Sequence, residues 1–268
     1  MTLSLWWLGY PLIGALAGFL AGLFGVGGGL AIVPLLYLLF SAQDFAHAHL
    51  MHVALGTAAA SIVFTSITSM REHHRLGNID WGIVRAMAPG LVLGAVVGSG
   101  FASRLPTRPL VLIFTAIVLY AAGQMILGFK PQAHRRMPGG GAQFLFGGLV
   151  GAVGSLVAAS GGFLSIPFMV WHNVPMKRAI GTSSGIGVPI AVVGALTYLG
   201  SGIGAVGLPS YSVGYVNLPA LIGVVSCTML FAPLGARVAS SLETGRLKRV
   251  YGIYLLIIAI KMLHSSFA

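Results

Sequence analysis

Two stretches of the chain decide how it is read. Gly18–Pro34 runs GFLAGLFGVGGGLAIVP, and Gly151–Pro167 runs GAVGSLVAASGGFLSIP. Gly28, Gly29 and Pro34 fall on Gly161, Gly162 and Pro167 at one offset of 133 residues. Further on, Leu55-Gly56-Thr57 answers Ile180-Gly181-Thr182 at an offset of 125. Leu105–Leu110 resembles Leu242–Leu247 at an offset of 137, and the same offset sets Asp80 opposite Asn217. Between the copies lies Lys130–Gly141, KPQAHRRMPGGG, a cationic and glycine-rich break almost at the midpoint. Three blocks in one order favour an internal duplication over chance likeness of two apolar, glycine-rich stretches. They divide the chain into a first repeat over 1–129, a linker over 130–141 and a second repeat over 142–268.

Outward from these blocks the chain is almost uniformly apolar. Of 268 residues, 57% are hydrophobic and 7% charged, against about 25% charged in a soluble domain. A surface that poor in charge belongs in lipid. At about 20 residues per crossing there is room for roughly eight to ten membrane segments and for no large domain outside them. Ten segments are expected, over 4–24, 30–41, 53–70, 81–103, 109–129, 142–159, 163–174, 179–200, 216–236 and 249–265. Residues 1–29 carry no Lys or Arg, so the opening segment reads as a retained membrane helix and not as a signal peptide.

Five segments per repeat is an odd number, so the second repeat enters the membrane from the opposite side. The expected fold is an all-α, polytopic helical bundle of two inverted-topology repeats. Charge gives an independent check. In this layout one face carries Arg71, Arg75, Arg85, Lys130, Arg135, Arg136, Lys177, Arg178, Arg237, Arg246, Lys248 and Arg249, and the other carries Arg104, Arg108 and Lys261. The cation-rich face is cytoplasmic by the positive-inside rule, and both termini are expected in the periplasm. The net charge of +11 is thereby accounted for by loops, and no nucleic-acid partner is expected.

Segments 30–41 and 163–174 are too short to cross. Twelve residues of helix cover about 18 Å of a roughly 30 Å core. Each reads as a half-helix that starts inside the membrane at a broken, glycine-rich turn. Such a start leaves backbone N–H groups without intrahelical partners beside the positive end of the helix dipole. In lipid those donors need a partner, and a bound anion supplies one. Gly27, Gly28, Gly29, Ser160, Gly161 and Gly162 are therefore candidate ligand contacts. Pro34 and Pro167 either free the carbonyls of Leu30 and Phe163 inside a helix or open the next helix. Gly14, Gly18 and Gly22, and likewise Gly90, Gly94 and Gly98, read instead as ladders for close helix packing.

Hydroxyls are the second candidate element, since they donate to oxyanions without adding charge. Thr57, Ser61 and Thr65 share one helical face, and Thr182, Ser183 and Ser184 hold the matching place. Their structural alternative is bonding back to the i−4 carbonyl. Other chemistry finds little support. The four acids, Asp44, Glu72, Asp80 and Glu243, form no cluster that could hold a divalent metal. His47, His49 and His52 read as a solvated outer loop. Ser160 has no His–Asp pair to activate it, and the first glycine run lacks GxGxxG spacing. Cys227 excludes an internal disulfide. Arg85, one turn into its segment, reads as snorkelling to the interface. No enzymatic role, cofactor or metal is expected.

GLFGVGGGLAIVPLL followed by ALGTAAASIV, then VAASGGFLSIPFMV followed by AIGTSSGIGV, resembles the TauE/SafE sulfite exporter family over nearly the whole chain. That resemblance implies a bacterial inner-membrane carrier of sulfite, sulfonates or related small organic anions. It also implies an anion path lined by Gly27–Gly29, Pro34, Thr57, Ser160–Gly162, Pro167 and Thr182–Ser184. The chain departs from its own two-fold pattern at Ala58-Ala-Ala60, where the second repeat has Ser183-Ser-Gly185. A secondary transporter is the leading expectation, and a passive anion channel is the alternative. The partners expected are the lipid bilayer and a small anionic substrate.

Overall fold

The computed structural model describes residues 6–25, 27–128, 136–241 and 245–267. Much of the linker Lys130–Gly141, and part of the Leu242–Leu247 block, lie outside them. Ten helices follow one another: α1 (Trp6–Phe24), α2 (Gly29–Ser41), α3 (Leu50–Arg75), α4 (Trp81–Ala102), α5 (Thr107–Leu127), α6 (Gly140–Leu156), α7 (Gly162–Trp171), α8 (Met176–Ser201), α9 (Leu218–Ser241) and α10 (Gly245–Phe267). Each helix falls where a segment was expected. Six of them, α1, α3, α4, α5, α8 and α9, are long and apolar enough to cross a membrane, while α2, α6 and α7 are shorter.

The ends are set by local chemistry. Asp80 caps α4, its Oδ1 accepting from the N–H groups of Gly82 and Ile83. Asn217 does the same for α9 through Ala220. The break expected over Ser201–Tyr215 is not plain loop. It contains a two-strand antiparallel hairpin, β1 (Ser212–Val213) and β2 (Val216–Asn217), turning at Gly214 with φ +54°. The hairpin delivers Asn217 to the start of α9.

The glycine ladders do what their spacing predicts. A Cβ at Gly14 or Gly22 of α1 would run into the carbonyl of Val224 or Ala232 on α9. One at Gly90, Gly94 or Gly98 of α4 would meet the carbonyls of Phe144, Gly148 and Ala152 on α6. With no side chain between them, the paired backbones are in direct contact. α3 and α8 run between these pairs and pack on each other. They are the interior helices: 78% of the apolar window of α3 is buried, against 28% for α9. Leu93, Val97, Leu145 and Leu230 point outward, as lipid-facing residues do.

One ion pair ties the far ends of α3 and α9. Arg237 Nε donates to Glu72 Oε1 at 2.8 Å, and Arg75 approaches the other oxygen at 3.6 Å. The partners are unequal, because the Glu72 side chain is 10% exposed and that of Arg237 is 57%. Arg237 can rehydrate if left alone, whereas the buried Glu72 would keep only its longer contact to Arg75. Arg237→Ala is therefore expected to cost about 2 kcal/mol, and Glu72→Gln less than about 1 kcal/mol. Thermal unfolding of both variants in detergent checks the order; the reverse ranking would contradict it.

His52 corrects an expectation. It does not sit in a solvated loop but in the first turn of α3, buried, with its ring centroid 5.0 Å from that of Tyr215. His52 lies one turn before Gly56, which abuts the carbonyl of Tyr215, so the helix face that meets the hairpin carries the ring inward.

Candidate functional site

The two glycine-rich turns meet in the interior. Gly28 and Gly161, the residues that precede α2 and α7, hold φ of +75° and +69°. A side chain is strained there, so glycine lets the chain reverse and start a helix abruptly. Both helices begin one residue earlier than expected, at Gly29 and Gly162. At 1.5 Å per residue, the 13 residues of α2 and 10 of α7 span about 20 and 15 Å. Pro34 and Pro167 lie inside these helices and do not open new ones.

The contacts between the turns come in matched pairs. Gly162 faces the carbonyl of Gly25, and Gly29 faces the carbonyl of Ala158; a Cβ on either glycine would collide with that carbonyl. Gly25 and Ala158, and Gly29 and Gly162, are each related by the offset of 133. Gly27 abuts Ser160, its own counterpart, where an added Cβ would come 2.6 Å from the Ser160 Cβ. The Gly25 carbonyl accepts two hydroxyls, from Ser160 at 3.2 Å and from Ser183 at 2.8 Å. Ser165 donates in turn to Ser183 at 3.2 Å. Gly25, Gly27, Ser160, Gly162 and Ser183 thus form one buried, uncharged cluster.

The two GT threonines are placed differently. Thr57 Oγ1 accepts from the N–H of Asn217, and Thr182 Oγ1 accepts from the N–H of Asp80, both at 2.9 Å. Each threonine fastens a central helix to the capping residue of α9 or α4. Both are fully buried. Thr57→Val and Thr182→Val leave a polar N–H without its acceptor, and each is expected to cost about 1–3 kcal/mol. Thr57→Ser keeps the oxygen and serves as control; thermal unfolding that ranks valine and serine alike would remove this fastening role. Ser61 and Thr65 bond back to the carbonyls of Thr57 and Ser61, as their helical setting allows.

Two narrow pockets flank the turns along the α3–α8 seam. The first is lined by Ala21, Gly27, Thr65, Ser66, Ser69 and Ser184 and in this conformation is too tight for a water molecule. The second, equally tight, is lined by Ala59, Ile62, Ser155, Ala158, Ala159, Ile190, Ala191 and Gly194. Neither lining contains a charged residue. Ser69 and Ser184 are hydrogen-bonded at 3.1 Å, whereas the buried Ser66 hydroxyl has no partner among the described residues. Ser66 and Ser69 were not singled out from the sequence. Arg85 is exposed on α4. His172 ends α7, its Nδ1–H directed to the carbonyl of Phe168 at 2.7 Å. Among the described residues, no three His, Cys, Asp or Glu side chains group as metal ligands.

Apolar helices exposed outward, two of them short and starting face to face in the interior, make this a multi-pass membrane protein of transporter type. The model of the family described as "Sulfite exporter TauE/SafE" matches residues 10–262. A "Probable membrane transporter protein" of Haemophilus influenzae is 38% identical over 252 residues, covering 94% of this chain and 96% of that one. Probable membrane transporter proteins of Bacillus subtilis and Methanocaldococcus jannaschii are 28% and 25% identical, over 83% and 88% of this chain and 86% and 88% of their own. No solved structure matches significantly. The chain belongs to the TauE/SafE sulfite exporter family.

Proposed function

We infer that the protein is a secondary transporter that moves a small sulfur-containing anion, a sulfite, sulfonate or related organic anion, across the bacterial inner membrane by alternating access. The observation that carries this reading is the meeting of the two turns: Gly25 with Gly162, Ala158 with Gly29, and Gly27 with Ser160. Two half-helix N-termini converge there, each worth roughly half a positive charge, in surroundings with no competing side-chain charge. Neutral donors can hold an anion and release it, where a dry ion pair carries a large desolvation cost. On this reading the anion contacts come from the backbone N–H groups of Gly27–Gly29 and Ser160–Gly162 and from the Ser184 hydroxyl, while the Ser160 and Ser183 hydroxyls hold the Gly25 carbonyl between the turns. Pro34, Pro167, Thr57 and Thr182 shape the backbone around them.

The inverted repeat belongs to the same proposal. Gly14 facing Val224 is answered by Gly147 facing Met87, and Gly18 facing Thr228 by Gly151 facing Leu91. Thr57 with Asn217 is answered by Thr182 with Asp80. These correspondences and the lopsided cation count support opposite insertion of 1–129 and 142–268, with both termini periplasmic. Single cysteines from Thr2→Cys and Gly139→Cys, in a Cys227→Ser background, are to be labelled with an impermeant maleimide on intact spheroplasts. Labelling at position 2 alone is expected; labelling at 139 alone overturns the orientation.

Transport itself is tested in proteoliposomes, with sulfite, sulfoacetate, thiosulfate, taurine and acetate as the panel. Saturable uptake with acceleration by trans substrate is expected for at least one sulfur oxyanion. Flux without saturation or trans-acceleration would mean a passive pore, and no flux of any anion would remove the anion reading.

A further inference from the structure

The two pockets beside the glycine turns are the same place in the two repeats. The offset of 125 that relates Thr57 to Thr182 carries Thr65, Ser66 and Ser69 onto Ile190, Ala191 and Gly194, and carries Ala59 onto Ser184. All eight residues line one pocket or the other, in that arrangement. The backbone positions match, but the chemistry does not. One pocket is lined by four hydroxyl residues, of which Thr65 is committed to the Ser61 carbonyl at 3.0 Å; at the same positions its twin presents Ile190, Ala191, Gly194 and Ala59. The hydroxyl that the twin does hold, Ser155, is committed to the carbonyl of Ala95 at 3.0 Å.

The hydrogen bonding of the polar pocket is not closed upon itself. Ser66 is 2% exposed and its hydroxyl bonds to nothing among the described residues. A buried, unsatisfied hydroxyl costs free energy, so its retention needs a reason. The Ser69–Ser184 pair uses one proton between its two oxygens, and the other proton has only the Ile180 carbonyl at a long 3.4 Å. Gly27, in the turn that leads into α2, forms another wall. Ser66 also adjoins the paired turns, since a Cβ at Gly187 would stand 3.2 Å from its oxygen while colliding with Ser160. The carboxylate nearest in sequence, Glu72, lies one turn beyond Ser69 and is engaged by Arg237. Free hydroxyl protons beside the positive end of a half-helix, with no available carboxylate, suit an oxyanion and not a cation.

We propose that the crevice of Thr65, Ser66, Ser69, Ser184 and Gly27, closed in this conformation, opens during transport as a one-sided oxyanion subsite, taking the charged head of a small sulfonate, sulfite or carboxylate, while its apolar twin takes none. Ser66 donates to one ligand oxygen and the Ser69–Ser184 pair supplies a second donor. This assignment rests on the anion-transport reading above. Because α3 and α8 lie antiparallel across the turns, the subsite occupies the half of the seam toward Arg75 and Met176, the cytoplasmic half in the orientation proposed. The substrate is then held by polar groups on the cytoplasmic side of the turns and meets a wall without free donors on the other.

The test uses the full-length protein purified in detergent, at fixed ionic strength. Sulfite, sulfoacetate and methanesulfonate are titrated by thermal shift, with sodium and choline as alternative counter-ions. Ser66→Ala breaks no hydrogen bond of the ligand-free protein, so its melting temperature without anion is expected to be unchanged or raised. Its Kd for the anion that stabilises wild type most is expected to rise about tenfold or more, the loss of a hydrogen bond to a charged group. Ser69→Ala is expected to weaken binding as well, and stands in if Ser66→Ala does not fold. Ala191→Ser, in the twin, is expected to leave Kd within about twofold. Undiminished anion binding in Ser66→Ala and Ser69→Ala overturns the subsite while leaving anion transport intact. So does stabilisation that follows sodium and not the anion. If no oxyanion stabilises wild type and none is transported, the underlying reading fails and the subsite with it.

Discussion

Gly29→Ala and Gly162→Ala are each expected to abolish transport and to lower stability by about 3 kcal/mol or more, although each adds a single methyl group. Overpacking that side chains can relieve costs about 1–3 kcal/mol. Here nothing can rotate away, because the added carbon meets a backbone carbonyl: Ala158 in one case, Gly25 in the other. The Gly25 carbonyl is already held by Ser160 and Ser183, so moving it also strains those two hydrogen bonds. Neither glycine has a positive φ, so the penalty is steric and not conformational. Gly100 and Gly123 have open space where a Cβ would go, and alanine there is expected to leave melting and transport unchanged. Thermal unfolding and proteoliposome flux of the four variants check this. Wild-type values for Gly29→Ala would mean that the two turns do not touch in the working protein.

That contact was partly legible in the sequence. Glycine runs ahead of 10- to 13-residue apolar helices betray a helix that cannot cross, and this follows from length and the demands of unpaired backbone in lipid. The GxxxG spacing likewise revealed α1 and α4 as close-packing helices, since the spacing itself makes the bare face. What stayed hidden was the partner of each hydroxyl. Thr57 and Thr182 have acceptor roles fixed by residues 160 and 102 positions away, and a threonine in an apolar helix looks the same whether it meets a ligand, a carbonyl or a distant N–H. The signal was present, because Asp80 and Asn217 were already matched polar residues at helix starts, but only the fold joins the two sets. Ser66 and Ser69 were passed over for the opposite reason. A search for features repeated in both halves discards them, as their counterparts are Ala191 and Gly194. His52 was misplaced because a loop rich in histidine looks solvated until a hairpin closes over it.

Neither half of the chain is expected to fold alone. The most extensive seams all join one half to the other: α1 with α9, α4 with α6, α3 with α8, and α5 with α10. Residues 1–129 by themselves would present both glycine ladders without the helices that fit them. In lipid no hydrophobic drive hides such faces, so what is lost is backbone-to-backbone packing. The polar losses are more severe. The Gly25 carbonyl loses both its hydroxyl donors, the N–H of Asp80 loses Thr182, and Glu72 loses Arg237. Each is a buried or half-buried group with little water to replace the partner. Expressed separately, 1–129 and 142–268 are expected to aggregate or be proteolysed; expressed together, they are expected to assemble into a monodisperse particle that transports. Size-exclusion chromatography, limited proteolysis and flux compare the three preparations. The same packing bears on the proposed motion. The two sequence halves interlock too closely to rock against one another, so under the alternating-access proposal the bodies expected to move are the ladder-sealed pairs, α1 with α9 and α4 with α6, around the α3–α8 seam. A monodisperse, protease-resistant 1–129 on its own would overturn this, and would return the two halves to the role of separate bodies.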